Sequence, residues 1–218
     1  MKKIAAIYTS LALVEPLKKL CSEHLPNYQL INIIDDSVIR DVIRKGKVDS
    51  SIIRRLIDLY QCGVDAGADV IVNTCSSVGE VVDIARSFID VPILKIDEPM
   101  VNEAVKKANK IAVLATLPTT LNPTIRLVKK QAKTAGKKIE IIDGLAVGGF
   151  EALMAGKPEE HDRLILETAI RVASQADILV LAQGSMARME QTLALKTSKS
   201  VLSSPLSGML AIKALFEQ

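Results

Sequence analysis

The stretch "ADVIVNTCSS" at residues 68–77 returns in altered form as "ADILVLAQGS" at residues 176–185. Both open on Ala-Asp, run through apolar and mostly branched residues, and end in small polar ones. Ala68 and Ala176 lie 176 − 68 = 108 positions apart. A second pair keeps nearly the same spacing: "KKIAAIYTS" from Lys2 and "NKIAVLATLPTT" from Asn109 align Lys3 with Lys110 and Thr9 with Thr116, an offset of 110 − 3 = 107. Two independent matches in the same order, at almost one offset, imply a chain of two similar halves.

Runs such as "DVIV" and "DILVLA" are apolar without alternation, as strands covered on both faces should be. Between them the apolar residues fall at helical spacing: Leu13, Leu17, Leu20, Cys21 and Leu25, then Ile52, Ile53, Leu56, Ile57, Tyr60 and Val64 behind the cap candidates Asp49 and Ser50. The first half reads as strands at 4–8, 29–35, 70–73 and 92–97 with helices at 13–25, 50–64 and 77–88. The second reads as strands at 110–116, 138–143, 177–182 and 200–204 with helices at 122–135, 158–175 and 186–196. Strands separated by helices pair in parallel through right-handed crossovers. The expected fold is α/β, with two pseudo-symmetric three-layer halves, each with a mostly parallel four-stranded sheet. Residues 1–98 with a returning helix in 206–218 make the first half, residues 99–205 the second, and they join near 97–109. The glycine-containing "GLAVGGF" at 144–150 reads as a mobile lid or an ordinary connection.

Of the 218 residues, 49% are hydrophobic, enough for a sizeable core, and the net charge of +3 is small against 28 basic and 25 acidic residues. Lys106, Lys107, Lys110, Lys129, Lys130 and Lys133 recur at helix-like spacing with few aromatics between them, which describes a solvated face and no nucleic-acid partner. The start "MKKIAAIYTSLALVEP" imitates a secretory leader, but Tyr8, Thr9 and Ser10 interrupt it, no small-x-small site follows and the pattern recurs in mid-chain. It reads as a first strand of a cytoplasmic protein, and no apolar run approaches the roughly 18 residues that cross a bilayer. The three cysteines form no disulfide framework, no CxxC and no Cys/His cluster with metal spacing, so a reducing compartment and no metal are expected. No GxGxxG follows any expected strand, which removes the usual dinucleotide loop.

Ligands of open parallel sheets bind beyond the carboxyl ends of the strands. Here those ends carry Thr9 and Ser10; Asn73, Thr74, Cys75, Ser76 and Ser77; Thr116 with Thr119 and Thr120; and Gln183, Gly184 and Ser185. All four clusters are uncharged. Hydroxyls, amides and free N–H groups at helix N-termini suit a small anion, most simply a carboxylate. A helix cap is the competing role for each Ser or Thr. Cys75, placed where a helix should begin, would have its thiolate favoured by the helix dipole and could accept a proton or act as a nucleophile. A buried inert thiol is the competing reading. Cys21 lies on an apolar helix stripe and Cys62 off one, while His24 and His161 fall outside the motifs.

"ADVIVNTCSS", "IAVLATLPTTLNPT", "ADILVLAQGSM" and "SSPLSGM" together resemble the aspartate/glutamate/hydantoin racemase superfamily over essentially the whole chain. The resemblance implies a small carboxylate-bearing substrate in the cleft between the halves, no cofactor and commonly a dimer. It also implies one cysteine after the central strand of each half, the two exchanging the α-proton from opposite faces. Carried over, the first is Cys75, six residues after Asp69, but the residue six after Asp177 is Gln183. An amide does not act as acid or base near neutral pH, and Ser185, two residues on, is a far weaker acid than a thiol. Three readings follow. The first is a racemase or isomerase with a different second proton carrier, the second a single-cysteine lyase of a small diacid, and the third a non-catalytic small-molecule sensor.

Overall fold

In the structure, a computed structural model that describes residues 1–217, every strand the sequence pattern marks is present. Residue 218, the last of the segment expected to return to the first half, lies outside the described residues. Two compact units form, Met1–Pro99 with the segment that starts at Pro205, and Met100–Ser204.

The first unit holds β1 (Lys2–Tyr8), α1 (Val14–His24), β2 (Tyr28–Ile34), α2 (Ser37–Lys45), α3 (Ser50–Asp65), β3 (Val70–Asn73), α4 (Glu80–Ala85) and β4 (Ile93–Lys95). Next come α5 (Glu98–Lys107), β5 (Lys110–Ala115), α6 (Pro118–Thr134), β6 (Glu140–Leu145), α7 (Gly149–Met154), α8 (Pro158–Ala173), β7 (Ile178–Leu181), α9 (Glu190–Thr197), β8 (Ser200–Ser203) and α10 (Ser204–Phe216). The sheets run β2-β1-β3-β4 and β6-β5-β7-β8, with all pairs parallel.

The unalternated strands are explained by what covers them. In β1, Ala5 and Ile7 enter one apolar cluster with Ile52, Leu56 and Tyr60 of α3, while Ile4, Ala6 and Tyr8 enter another with Leu17 and Cys21 of α1 and Met209 and Ile212 of α10. The second sheet is sandwiched the same way, by residues of α5 and α6 on one face and of α8 and α9 on the other. Each large aliphatic side chain withdrawn from water this way contributes about 1.5–3 kcal/mol. The repeated Ala-Asp has a physical role too. Asp69 Oδ2 accepts from the Lys3 N–H at 2.8 Å and Asp177 Oδ2 from the Lys110 N–H at 2.8 Å, each pinning the amino end of one central strand to its neighbour.

Five local readings change. The expected helix at 77–88 is a three-residue 3-10 turn, Ser76–Val78, followed by α4, and that at 186–196 is a 3-10 segment, Gly184–Met189, followed by α9. Helix α2 escaped the pattern because its apolar residues, buried Val38 and Val42 with half-buried Ile39 and Ile43, span little more than one turn. The joining region around 97–109 contains α5, whose Met100, Val101, Ala104 and Val105 are core residues of the second unit. "GLAVGGF" includes secondary structure that its glycines had masked. It is the end of β6, a turn on Gly148 with φ +83° and the start of α7.

Candidate active site

At the carboxyl end of β3 the chain turns through Cys75, which is extended (φ −118°, ψ 112°) and precedes the Ser76–Val78 turn. Its thiol receives hydrogen bonds from the Thr9 hydroxyl, the Ser77 N–H and hydroxyl and the Val78 N–H, all of which favour the thiolate. Burial opposes them and prevails, pushing the Cys75 thiol above its ordinary range. This corrects the helix-dipole expectation: a single 3-10 turn aligns too few peptide dipoles to outweigh desolvation.

The neighbouring residues divide into those that shape the loop and those that remain available. Asn73 is 1% exposed and has both ends of its amide engaged: Oδ1 accepts from the Tyr60 hydroxyl at 3.1 Å and Nδ2 donates to the Cys75 carbonyl at 2.9 Å. The fully buried Tyr60 phenol, its ionisation pushed far up by burial and then by Cys75, acts as a fixed donor. Thr74 donates its hydroxyl to the Ile7 carbonyl at 2.9 Å, stitching β3 to β1. Ser10 is exposed and makes no capping bond, and Thr9 is buried against Cys75. Ser76 hydrogen-bonds to Asp97, a carboxyl 3% exposed beyond β4 that sequence reasoning did not nominate. The available signal was an acidic residue where a parallel strand ends, in "PILKID". Nearby, the buried Lys95 ammonium is 2.9 Å from Asp83 Oδ2.

In the second unit, Gln183 occupies the place after β7 that Cys75 occupies after β3. Its Oε1 accepts from the Thr116 N–H at 2.6 Å and the Thr116 hydroxyl at 3.0 Å. A backbone N–H can only donate, so the amide orientation follows, and the partly exposed Gln183 is left with its two N–H donors. Gly149 lets α7 approach, since a Cβ there would fall 2.8 Å from Thr116 Cγ2. At the start of α6, the Thr119 hydroxyl is buried with no partner, and Thr120 is 4% exposed. Gly184 and Ser185 open the 3-10 segment and are partly exposed.

The remaining thiols and imidazoles lie elsewhere. Cys21 is buried beside Tyr8 in the α1 layer and its thiol is raised by burial, whereas Cys62 is exposed. His161, 1% exposed, pairs through Nδ1 with Asp162 Oδ1 at 2.9 Å. Among the described residues, no group of three or more His, Cys, Asp or Glu side chains is placed to hold a metal ion, and no helix is long and apolar enough to cross a membrane.

Solved structures show where this fold recurs. The chain superposes on a glutamate racemase, isoform RacE1, from Bacillus anthracis with a TM-score of 0.80 at 10% identity, covering 99% of this chain and 82% of that one. A glutamate racemase from Francisella tularensis in complex with D-glutamate gives 0.74 at 16% identity, covering 99% and 81%. An allantoin racemase from Klebsiella pneumoniae gives 0.72 at 17%, covering 100% and 88%. Identities this low establish the racemase-type fold. The sequence itself goes further: residues 5–210 match the Asp/Glu/Hydantoin racemase family, and the chain belongs to that family. No curated protein matches it.

Proposed function

We propose that this protein is a cofactor-independent isomerase of the racemase type, acting at the carbon alpha to the carboxylate of a small acid, with Cys75 as the proton carrier. The observation that carries the reading is the Cys75 thiol itself. It sits at the carboxyl end of a central parallel strand and is cradled by donors from Thr9, Ser77 and Val78, in a chain that matches the racemase family almost end to end. Removing an α-proton builds negative charge on the substrate's carboxylate oxygens, so the site needs aimed donors as well as a base. In the unit that carries Cys75, the exposed Ser10 hydroxyl is the donor offered to such oxygens; in the second unit, taken by itself, the corresponding donors are the Gln183 amide N–H groups, Thr119 and Ser185. Thr9, Asn73, Thr74, Ser76, Ser77, Thr116, Thr120 and Gly184 shape the loops that present them. A cytoplasmic location and a homo-oligomer, without nucleic-acid or membrane partners, belong to the same reading.

A second reading, a single-cysteine lyase that protonates an enolate left by a departing carboxylate, draws on a specific observation. The Cys75 thiol is shifted upward by burial, and the equivalent position of the second unit is an amide. The two readings share the thiol and the oxygen donors and differ in the bond broken.

The deciding experiment is α-hydrogen exchange in deuterated water, followed by NMR, across small monoacids and diacids. D-Glutamate goes first because the Francisella relative is seen with it. Exchange, or carbon dioxide release from a malonate-type diacid, is expected in the wild type and lost in Cys75→Ala. A Cys75→Ala variant as fast as the wild type removes the thiol from the chemistry. Acids that bind without exchange or cleavage identify a sensor.

A further inference from the structure

Asp97 is a carboxyl group with 3% exposure in a loop cluster otherwise made of hydroxyls, an amide and a thiol. It follows β4 by two residues, and its carboxylate is bound by the Ser76 hydroxyl and its own backbone N–H. Ser76 is the residue directly after Cys75. Burial raises the Asp97 carboxyl, and the nearest cation, Lys95, counters this only in part because its ammonium is paired with Asp83 of α4. The other charge acting on Asp97 is Glu98, which opens α5 and is paired with Arg86; the Tyr60 phenol of α3 is neutral and lies by Cys75. Helix α10, whose Gly208 lies against Ile96, brings no charged residue before Lys213. Among the described residues Asp97 has no ion-pair partner of its own, and its side-chain hydrogen bond goes into the Cys75 loop through Ser76.

We propose that Asp97 is a positioning residue for Cys75: through the Ser76 hydroxyl it orients the Cys75–Ser77 turn, and its charge sets the pH at which the thiol ionises. An ionised carboxylate in a partly desolvated corner opposes a second negative charge nearby, so the thiol keeps its proton to higher pH. This rests on Cys75 being the proton carrier and adds the residue that decides whether it rests as acid or base.

The test needs no substrate. Iodoacetamide alkylation of Cys75 is followed from pH 6 to 10.5 by peptide mass spectrometry, with exposed Cys62 in the same digest as reference. Asp97→Asn, which keeps an acceptor for Ser76, should lower the Cys75 inflection by about one pH unit, making alkylation about tenfold faster at any fixed pH below it. Asp97→Ser, smaller and also uncharged, is the second variant, and either one that melts cooperatively suffices. Ser76→Ala, which leaves the charge in place, should keep the inflection at or near its wild-type value. A Cys75 profile that superposes on the wild type in a folded, uncharged variant overturns the proposal. If the alkylation shift appears while α-hydrogen exchange and carbon dioxide release are both absent from every variant, the coupling stands and the enzymatic reading fails.

Discussion

Replacing Gln183 by Glu changes one atom and reverses what the side chain offers. One carboxylate oxygen can keep the bonds from the Thr116 N–H and hydroxyl, at 2.6 and 3.0 Å in the parent, so the side chain stays where it is. The other oxygen then stands where an N–H donor stood. A substrate carboxylate at about 4 Å would meet a like charge worth about 4 kcal/mol at an effective dielectric of 20, and less with Gln183 open to water. A loss of about 2–4 kcal/mol, roughly 30- to 1000-fold in affinity, is expected. Gln183→Ala removes the donor without adding charge and should cost about 1–3 kcal/mol. The assay is ligand-dependent thermal shift, with Kd from titration, using D-glutamate and a panel of small monoacids and diacids. The Glu variant should lose binding well beyond the Ala variant, with both melting near the wild type when no ligand is added. Equal binding by the Glu variant and the wild type would refute the donor assignment.

Cys75→Ala should fold normally and lower turnover roughly 10²- to 10⁴-fold, the scale of a positioned acid or base, with circular dichroism and exchange rates as the checks. Because the Asp97 carboxyl is raised, the folded state holds its proton longer than the unfolded chain, so stability falls as pH rises from the ordinary carboxylate range through the folded value. Asp97→Asn should relieve this, and its melting temperature relative to wild type should rise between pH 4 and pH 8. A constant difference would refute the argument. Gly208→Ala would place a Cβ 2.6 Å from Ile96 Cγ1 and 2.8 Å from the Ile96 carbonyl oxygen, pushing α10 away from the residue that follows β4 at a cost of about 1–3 kcal/mol, measured by urea denaturation. Chelators should leave both activity and melting temperature unchanged, and lost activity would reveal a metal site.

Order and type of the strands were legible in the sequence because a parallel strand covered on both faces needs an unbroken apolar run, and "DVIV" and "DILVLA" have no other use. The internal repeat, the strand-end clusters and the place of Cys75 follow from the same local pattern. Helices α2 and α7 were not legible, since one apolar turn does not distinguish a short helix from a loop. What only tertiary structure decided is how each polar group is used. Asn73 and Thr74 read like ligand donors beside Cys75, yet their bonds go to Tyr60, Cys75 and Ile7, partners 2 to 67 positions away. Gln183 was legible as an amide, but which end it presents depended on the Thr116 N–H. The ionisation of Cys75 and the involvement of Asp97 also depended on packing, because desolvation and hydrogen bonding are set by what folds around a group, which its flanking sequence does not encode.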